Sequence, residues 1–387
     1  MHHSYNYQII DKLHLGFVHS VLKINKRQLI VIKNFILIIF VVKIIFKIKT
    51  NNKKLCDFVV SNRKMAIIGT DITQAAALLQ NGNVVAIPTE TVYGLAANAL
   101  NEAAVKLIFM TKERPMTNPL IIHLPSLEAA QIYVEELPSL AKKLAKVFCP
   151  GPLTMVLPKK RIVPDTVTAG LPNVAIRIPN HPLTLQLLRA IDFPLAAPSA
   201  NPFGYISPTT AQHVVNQLGK KIPYILDGGL CQKGLESTIV SFQDDKVVVY
   251  RLGAIALEEL AKVVGEDNLI LDNLKLEKPL SPGMLPYHYS PHTSLYLTDN
   301  LENDILNYNQ KKIGIITLSK ILTNIPKKHQ IQLSETNNLE IAGHLLYDAM
   351  HELDALELDA IFVEKMPDKG IGKTMNDRLK RAAYKRQ

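Results

Sequence analysis

The spacing of apolar and polar residues changes character at Met65. Beyond it, short apolar runs alternate with amphipathic stretches. Val84–Ile87 is an apolar run ended by Pro88 and predicts a buried strand. Ala103–Lys112 carries apolar residues at helical spacing, with Asn101 placed to cap it. Leu120–Leu124 reads as a strand, and Leu127–Glu136 and Leu140–Phe148 as helices separated by Pro138. Further strands are expected at Thr154–Leu157, Val174–Ile178, Leu195–Ala197, Ile222–Leu226, Thr238–Phe242 and Lys246–Leu252, with helices at Leu183–Ile191 and Thr210–Leu218 between them. Strands mixed with helices imply an α/β class and a twisted, partly parallel sheet.

Residues 266–293 hold four prolines and Gly283, too many breakers for a regular element, and read as a linker. They also hold Tyr287, His288, Tyr289 and His292, so the linker is expected to lie across a surface or a site rather than in solvent. Residues 294–387 read as a smaller α/β unit. Its strands are Leu295–Leu297, Lys312–Thr317 and Ala360–Val363; its helices are Ile341–Leu353 and a basic one at Met375–Lys385.

Residues 1–64 differ in kind. They contain no Ala, Pro or Glu, and Ile, Lys, Asn and Phe supply half of them. Residues 29–48 are apolar except for three Lys and Asn34. At about −0.5 kcal/mol for each apolar residue and up to about +3 for each Lys, membrane insertion is close to neutral. No small-residue cleavage site follows to make a signal peptide. These amino acids have A/T-rich codons, so translation is expected to start at Met65, the upstream stretch reading through non-coding DNA; a poorly ordered native extension is the other reading. The net charge of +10 also resides there. Twelve basic and two acidic residues fall in 1–64, which leaves 65–387 neutral overall and without a global electrostatic reason to bind nucleic acid. Three cysteines without a CxxC pair exclude a disulfide scaffold and fit a reducing, cytoplasmic setting.

Several segments carry chemistry. Pro88–Leu95 (PTETVYGL) brings hydroxyls, a carboxylate and a Gly to a strand end, where α/β sheets bind ligands. Lys112 and Arg114, at a helix end before Pro115, could clamp phosphate oxygens or simply face the helix dipole. His123, on an apolar strand, reads on its own as a core histidine. Ser199 and Asn201, two apart in an extended segment, share one face. Arg177 lies inside an apolar strand and must meet an anion, fixed or bound. No P-loop, G-x-G-x-x-G after a strand, G-x-S-x-G elbow, HExxH or acidic metal cluster is present.

In order, PTETVYGL, Lys112-x-Arg114, NPLIIH, CPGPLT, VAIRIPNHP, APSAN, ESTIV, YRLG, SPGM…HYSPHT and the C-terminal GIGKTMNDRLKRAA form a set. Over roughly 67–387 the chain resembles the threonylcarbamoyl-AMP synthase family in its two-domain form. The resemblance implies a YrdC-like catalytic domain at 67–265, a linker at 266–293 that acts as a lid, and a Rossmann-like domain at 294–387. It implies an adenylyl-transferring enzyme that converts L-threonine, bicarbonate and ATP, with Mg²⁺, to threonylcarbamoyl-AMP and pyrophosphate. A separate complex would then transfer the threonylcarbamoyl group to the adenosine beside a tRNA anticodon. By position, Lys112, Arg114, Ser199 and Asn201 would be catalytic. Thr91, His123, Arg177, Ala197 and Ser237 would bind threonine, Arg177 pairing with its carboxylate. Arg114, Asn118, Asn173, Ser199, Ser207, Arg251 and Tyr289 would bind ATP. Asn173 stands where the family often has Thr. No protein-bound metal and no membrane contact for 65–387 is implied.

Three alternatives remain at this level: an RNA-binding module, with weak RNA contact through the basic C-terminal helix; carbamoyl chemistry for metal-centre maturation; and a catalytically silent relative. The favoured reading predicts that a Met65–Gln387 chain releases pyrophosphate from Mg·ATP only when L-threonine and bicarbonate are both present. Release that ignores threonine, or none from a folded chain with salt-dependent RNA affinity, would favour the binding module.

Overall fold

The computed structural model describes residues 65–271, 288–306, 308 and 311–383, all within a unit spanning Lys64–Gln387. Residues 1–64, and with them the anchor, signal and start-site readings, lie outside the described residues, as does 272–287 of the linker. Among the described residues no helix is long and apolar enough to cross a membrane.

Eleven short strands form one mixed sheet. In chain order they are β1 (Ile67–Gly69), β2 (Val85–Ile87), β3 (Gly94–Asn98), β4 (Ile121–His123), β5 (Leu153–Pro158), β6 (Asn173–Arg177), β7 (Leu195–Ala196), β8 (Tyr224–Leu226), β9 (Thr238–Gln243), β10 (Lys246–Arg251) and β11 (Leu269–Leu271). Their spatial order is β1-β8-β2-β3-β7-β4-β6-β5-β9-β10-β11. Parallel pairs such as β4–β6 and β5–β9 alternate with antiparallel ones such as β5–β6 and β9–β10. One face packs on the helices Glu102–Lys112, Ser139–Phe148 and Leu257–Val264 in a continuous apolar core. A second sheet is wholly parallel, in the order β12 (Leu295–Thr298), β15 (Ala360–Glu364), β13 (Ile313–Thr317), β14 (Gln330–Gln332). The helices Leu339–Asp354 and Ile371–Ala382 share its core with Tyr289 of the linker and with Val92, Ile206 and Leu235 of the first domain.

The capping chemistry is local and behaves as expected. The Asn101 side chain accepts from the Ala103 and Ala104 amides and starts the Glu102–Lys112 helix. Elsewhere tertiary contacts override periodicity. The helix expected over Leu127–Glu136 stops after one turn, Leu127–Ala130, because Val134 bridges to Lys159 and the Glu135 amide donates to the Pro158 carbonyl at the β5 end. The linker also begins later than its proline content implies: Leu269–Leu271 pairs in parallel with β10 and completes the first sheet. PTETVYGL contains a strand as well as a turn, since β3 starts at its glycine and runs antiparallel to β2.

Two glycines let backbones meet. A Cβ on Gly253 would lie 2.3 Å from the Ser237 carbonyl carbon, so only glycine lets the end of β10 cross the Ser237–Thr238 backbone. A Cβ on Gly234, at φ +68°, would lie 2.2 Å from the His344 carbonyl oxygen, where the second domain abuts the first. The basic charge of the Ile371–Ala382 helix is largely consumed within the chain: Lys373 pairs with Glu258, Arg378 with Glu236, and Arg381 with Asp377. Among its four cations Lys380 is the exposed one, which weakens the argument that this helix contacts RNA.

Candidate active site

Register places the key side chains on one face of the large sheet. His123 is paired with Arg177 and Ile121 with Ala175 across β4 and β6. On β5, Thr154 lies beside Arg177 and Val156 beside Ala175; on β9, Ile239 lies beside Thr154 and Ser241 beside Val156. Because side chains alternate along a strand, Asn173, Ala175 and Arg177 share this face, as do Ser237, Ile239 and Ser241. The face therefore has an apolar floor of Ile121, Val156, Ala175 and Ile239, and a polar end at His123, Arg177 and Ser237.

A cleft opens at that polar end. Arg114, His123, Arg177 and Ala197 line it, together with Ser199, Ser237, Arg251 and Tyr289. These eight predicted site residues are thus brought together from segments spread over 175 positions of chain. Thr89, Glu236 and His288 line it as well. With Tyr289 seated in it, the cavity measures about 40 Å³.

Three guanidiniums are nearly enclosed: Arg114 is 7%, Arg177 5% and Arg251 7% exposed. Arg177 meets a fixed anion, Glu90, at 2.8 Å, and its Nη2 also donates to Thr91 Oγ1 at 2.9 Å. The buried-cation requirement is therefore met within the chain, by the carboxylate of PTETVYGL, before any substrate carboxylate arrives. Arg251 donates to the Ser237 carbonyl at 2.8 Å and to Ser237 Oγ at 3.0 Å; that hydroxyl also bonds Thr154 Oγ1 at 2.7 Å. Among the described residues Arg114 is held only by neutral groups, the carbonyls of Asn118 and Pro119, with the Phe203 ring 5.8 Å away. Burial lowers its affinity for a proton to about pKa 9; Tyr289 opposes that drop and the neighbouring Arg251 adds to it.

The Glu102–Lys112 helix sends its two terminal cations in different directions. Glu113 ends it in the left-handed region, φ 56°, and Pro115 prevents continuation. Arg114 then faces the cleft, while Lys112 points behind it. The buried Lys112 ammonium donates to the carbonyls of Ser199 and Asn201, so here it fastens the APSAN segment rather than lining the cleft. Burial pushes its pKa well down, with Arg114 adding to the shift.

Other expected residues also stand behind the cleft. Thr91 supports Arg177, and Thr89 takes the lining position. Asn201 donates to the carbonyls of Pro202 and Tyr205. Ser207 donates to Glu236 at 2.7 Å. Asn118 is buried with neither side-chain polar atom hydrogen-bonded, an arrangement that suits a ligand or a bound water. Asn173 is exposed and outside the cleft lining, but lies four residues up β6 from Arg177 on the same face, roughly 13 Å away at strand rise.

Sequence reasoning assigned no role to Glu90 or Glu236, although both lie in quoted motifs, and missed Arg378 and Tyr347. Tyr347 donates to both Glu236 oxygens at 3.0 Å, and Arg378 Nε lies 2.7 Å from one of them. The only local signal is a glutamate inside an apolar segment, which demands a partner without naming it.

His123 is fully buried beside Arg177, and burial first, then that cation, hold its pKa down to about 3. Between pH 6.5 and 3 the unfolded chain takes up a proton that the folded chain refuses. Stability is therefore lost as pH falls through this window, at about 1.4 kcal/mol per pH unit for one such group. His351, likewise at about 3 through burial and then His213, adds its own share. Urea unfolding at stepped pH should show that acid slope, and His123→Asn should flatten it by about one histidine's contribution; an unchanged slope would contradict the neutral, buried imidazole.

Comparison with known proteins agrees with this architecture. Residues 77–253 match a family described as Telomere recombination (Sua5, YciO and YrdC), and 255–384 match the C-terminal domain of threonylcarbamoyl-AMP synthase. A threonylcarbamoyl-AMP synthase of Bacillus subtilis is 41% identical over 322 residues, 81% of this chain and 92% of its own. That of Schizosaccharomyces pombe is 35% identical, covering 81% of this chain and 88% of its own. The crystal structure of Pyrococcus abyssi Sua5 complexed with L-threonine superposes with a TM-score of 0.75 at 36% identity, covering 82% of this chain and 97% of that one. With both domains matched in order and nearly the whole length of these relatives covered, the chain belongs to the threonylcarbamoyl-AMP synthase family.

Proposed function

We propose that the chain makes threonylcarbamoyl-AMP from L-threonine, bicarbonate and ATP, releasing pyrophosphate, as a supply step for threonylcarbamoyladenosine in tRNA. The observation that carries this reading is Arg114. It is a buried cation with only neutral partners among the described residues, turned into a cleft that also holds Arg251. Two enclosed cations, neither ion-paired with a carboxylate at salt-bridge distance among the described residues, suit a polyphosphate.

Threonine fits the polar end of the face. The Glu90 carboxylate and Thr91 hydroxyl orient the Arg177 guanidinium, whose Nη1 takes no hydrogen bond among the described residues and can meet the amino acid's carboxylate. Neutral His123 and the Ser237 hydroxyl flank it. The threonine amine attacks CO₂ derived from bicarbonate and, on losing a proton, becomes a carbamate. A carbamate oxygen then attacks the α-phosphorus of ATP, and the bond to pyrophosphate breaks. Arg114, Arg251 and Ser199 would hold the phosphates and meet the charge on the departing pyrophosphate. The apolar floor of Ile121, Val156 and Ala175 leads from there toward Asn173, a length suited to the nucleoside end of an extended ATP.

Mg²⁺ belongs to this scheme as part of the Mg·ATP substrate. No group of three or more potential metal ligands occurs among the described residues, and Glu90 and Glu236 at the cleft already pair with Arg177 and Arg378.

A cavity of about 40 Å³ holds neither substrate, since ligand sites of this kind measure about 300 Å³ or more. Tyr289 must therefore withdraw to admit ATP and can return to exclude water from a carbamate and a mixed anhydride, both prone to hydrolysis. Its backbone sits at φ 66°, strained for a residue with a bulky side chain, and its buried hydroxyl has no hydrogen-bond partner among the described residues. The seated position is thus held by packing on Tyr347 and Arg378 rather than by local preference.

Arg114→Ala is expected to lower kcat/KM for ATP by about 100-fold or more while the protein stays folded; near wild-type turnover from a folded variant would overturn the reading. Tyr289→Ala is expected to raise the KM for ATP severalfold, measured by pyrophosphate release. Unchanged nucleotide affinity and turnover would reject the lid.

A further inference from the structure

The second domain reaches the cleft through one buried side chain. Arg378, on the Ile371–Ala382 helix, is fully enclosed. Its Nε lies 2.7 Å from Glu236 Oε2, its Nη2 donates to the Leu252 carbonyl at 2.6 Å, and its guanidinium carbon lies 5.0 Å from the Tyr289 ring centroid. Tyr347 supplies a second link, its hydroxyl 3.0 Å from each Glu236 oxygen. Glu236 immediately precedes Ser237 and lines the cleft, and Leu252 immediately follows Arg251. The same helix grips the next residue too, where Thr374 Oγ1 donates to the Gly253 carbonyl at 3.0 Å. Both chain segments that present the Arg251–Ser237 pair are therefore held from the second domain.

The chemistry at Glu236 is more than mechanical. A carboxylate lining an anion site repels the anion and competes for the cations meant to bind it. Burial alone would favour its neutral form; Arg378 and then Arg251 hold it ionised instead. Because Arg378, Tyr347 and Ser207 occupy its oxygens, Arg251 is left directed at Ser237 and the cleft.

We propose that Arg378 is a positioning residue for the ATP half of the site: it neutralises Glu236 from the second domain and so keeps Arg251 turned toward Ser237 and the cleft rather than toward Glu236. This rests on the function proposed above. Without Arg378, Glu236 would draw Arg251 to itself and face the incoming triphosphate as an uncompensated negative charge.

A double-mutant cycle on the full chain tests this, with KM and kcat from pyrophosphate release and affinity from calorimetry with a non-hydrolysable ATP analogue. Arg378→Met, close in length and uncharged, is expected to raise the KM for ATP and weaken the analogue by tenfold or more, with a smaller change in kcat. Adding Glu236→Gln to that chain should recover most of the loss, because it removes the charge that Arg378 answers. A purely structural role predicts no recovery, and that outcome overturns the proposal, as does unchanged ATP affinity in Arg378→Met. Should Arg378→Met not fold, Tyr347→Phe keeps the ion pair and removes only the hydroxyl. It is expected to raise the KM for ATP by two- to fivefold, again cancelled by Glu236→Gln; no rise, or a rise that Glu236→Gln leaves in place, rejects the proposal. A wild-type chain without threonine-dependent pyrophosphate release rejects the parent function instead, so the two failures are separable.

Discussion

Enclosing guanidinium groups in a protein interior is the constraint around which this molecule is organised. Arg114, Arg177, Arg251 and Arg378 are all buried, and an isolated buried cation costs several kcal/mol, a large share of a domain's net stability of about 5–15 kcal/mol. They are resolved in three ways. Arg177 and Arg378 have fixed carboxylates, Glu90 and Glu236. Arg251 leans on the Ser237 backbone and hydroxyl. Among the described residues Arg114 has only carbonyls and an aromatic ring. That gradation separates the two halves of the cleft, one whose arginine is ion-paired with a carboxylate and one where the described partners of Arg114 are neutral. An amino acid, zwitterionic and close to neutral, suits the first, and a polyphosphate the second.

The mixed sheet supplies the geometry for this arrangement. Alternating parallel and antiparallel neighbours bring the ends of β4 and β6 beside the starts of β5 and β9, so His123, Arg177, Thr154 and Ser237 converge although they come from four separate segments. Helices cover the opposite face, and on this one Ile72–Gln80 and Pro182–Arg189 pack over the strands beside β7, leaving the stretch from β4 to β9 to the ligand and the linker. The second domain then closes over the same face through residues 288–290. The Ser290 amide donates to Gly204 of the first domain and its hydroxyl to Ala382 of the second, at 2.8 and 3.0 Å. Tyr289 immediately precedes this doubly anchored serine, so withdrawing it disturbs contacts with both domains at once.

Much of this was legible in the sequence for identifiable reasons. Helix caps and strand runs depend on neighbours a few residues away, which is why Asn101 and Val84–Ile87 behaved as read. The PTETVYGL, APSAN and ESTIV segments disclosed the family because their residues serve the site directly. Failures arose where distant chain intervened. Leu127–Glu136 has a helical pattern, but a strand end 25 residues away claims its second half. Lys112 and Arg114 look equivalent at a helix terminus, and a single left-handed residue between them turns one toward the ligand and the other toward the scaffold.

The sequence by itself determined the class of fold, the order of the two domains, the family and most of the residues around the cleft, since these follow from local periodicity and from motifs whose members lie close together. It also stated a problem, that buried Arg177 needed a counter-charge. Its partner, and the need of Glu236 for one as well, emerged only in three dimensions. Arg177 takes Glu90 from 87 positions away, and Glu236 takes Arg378 from 142 positions away. Such choices depend on which side chains become desolvated together in three dimensions, and periodicity along the chain reports which face is buried but not what lies across from it.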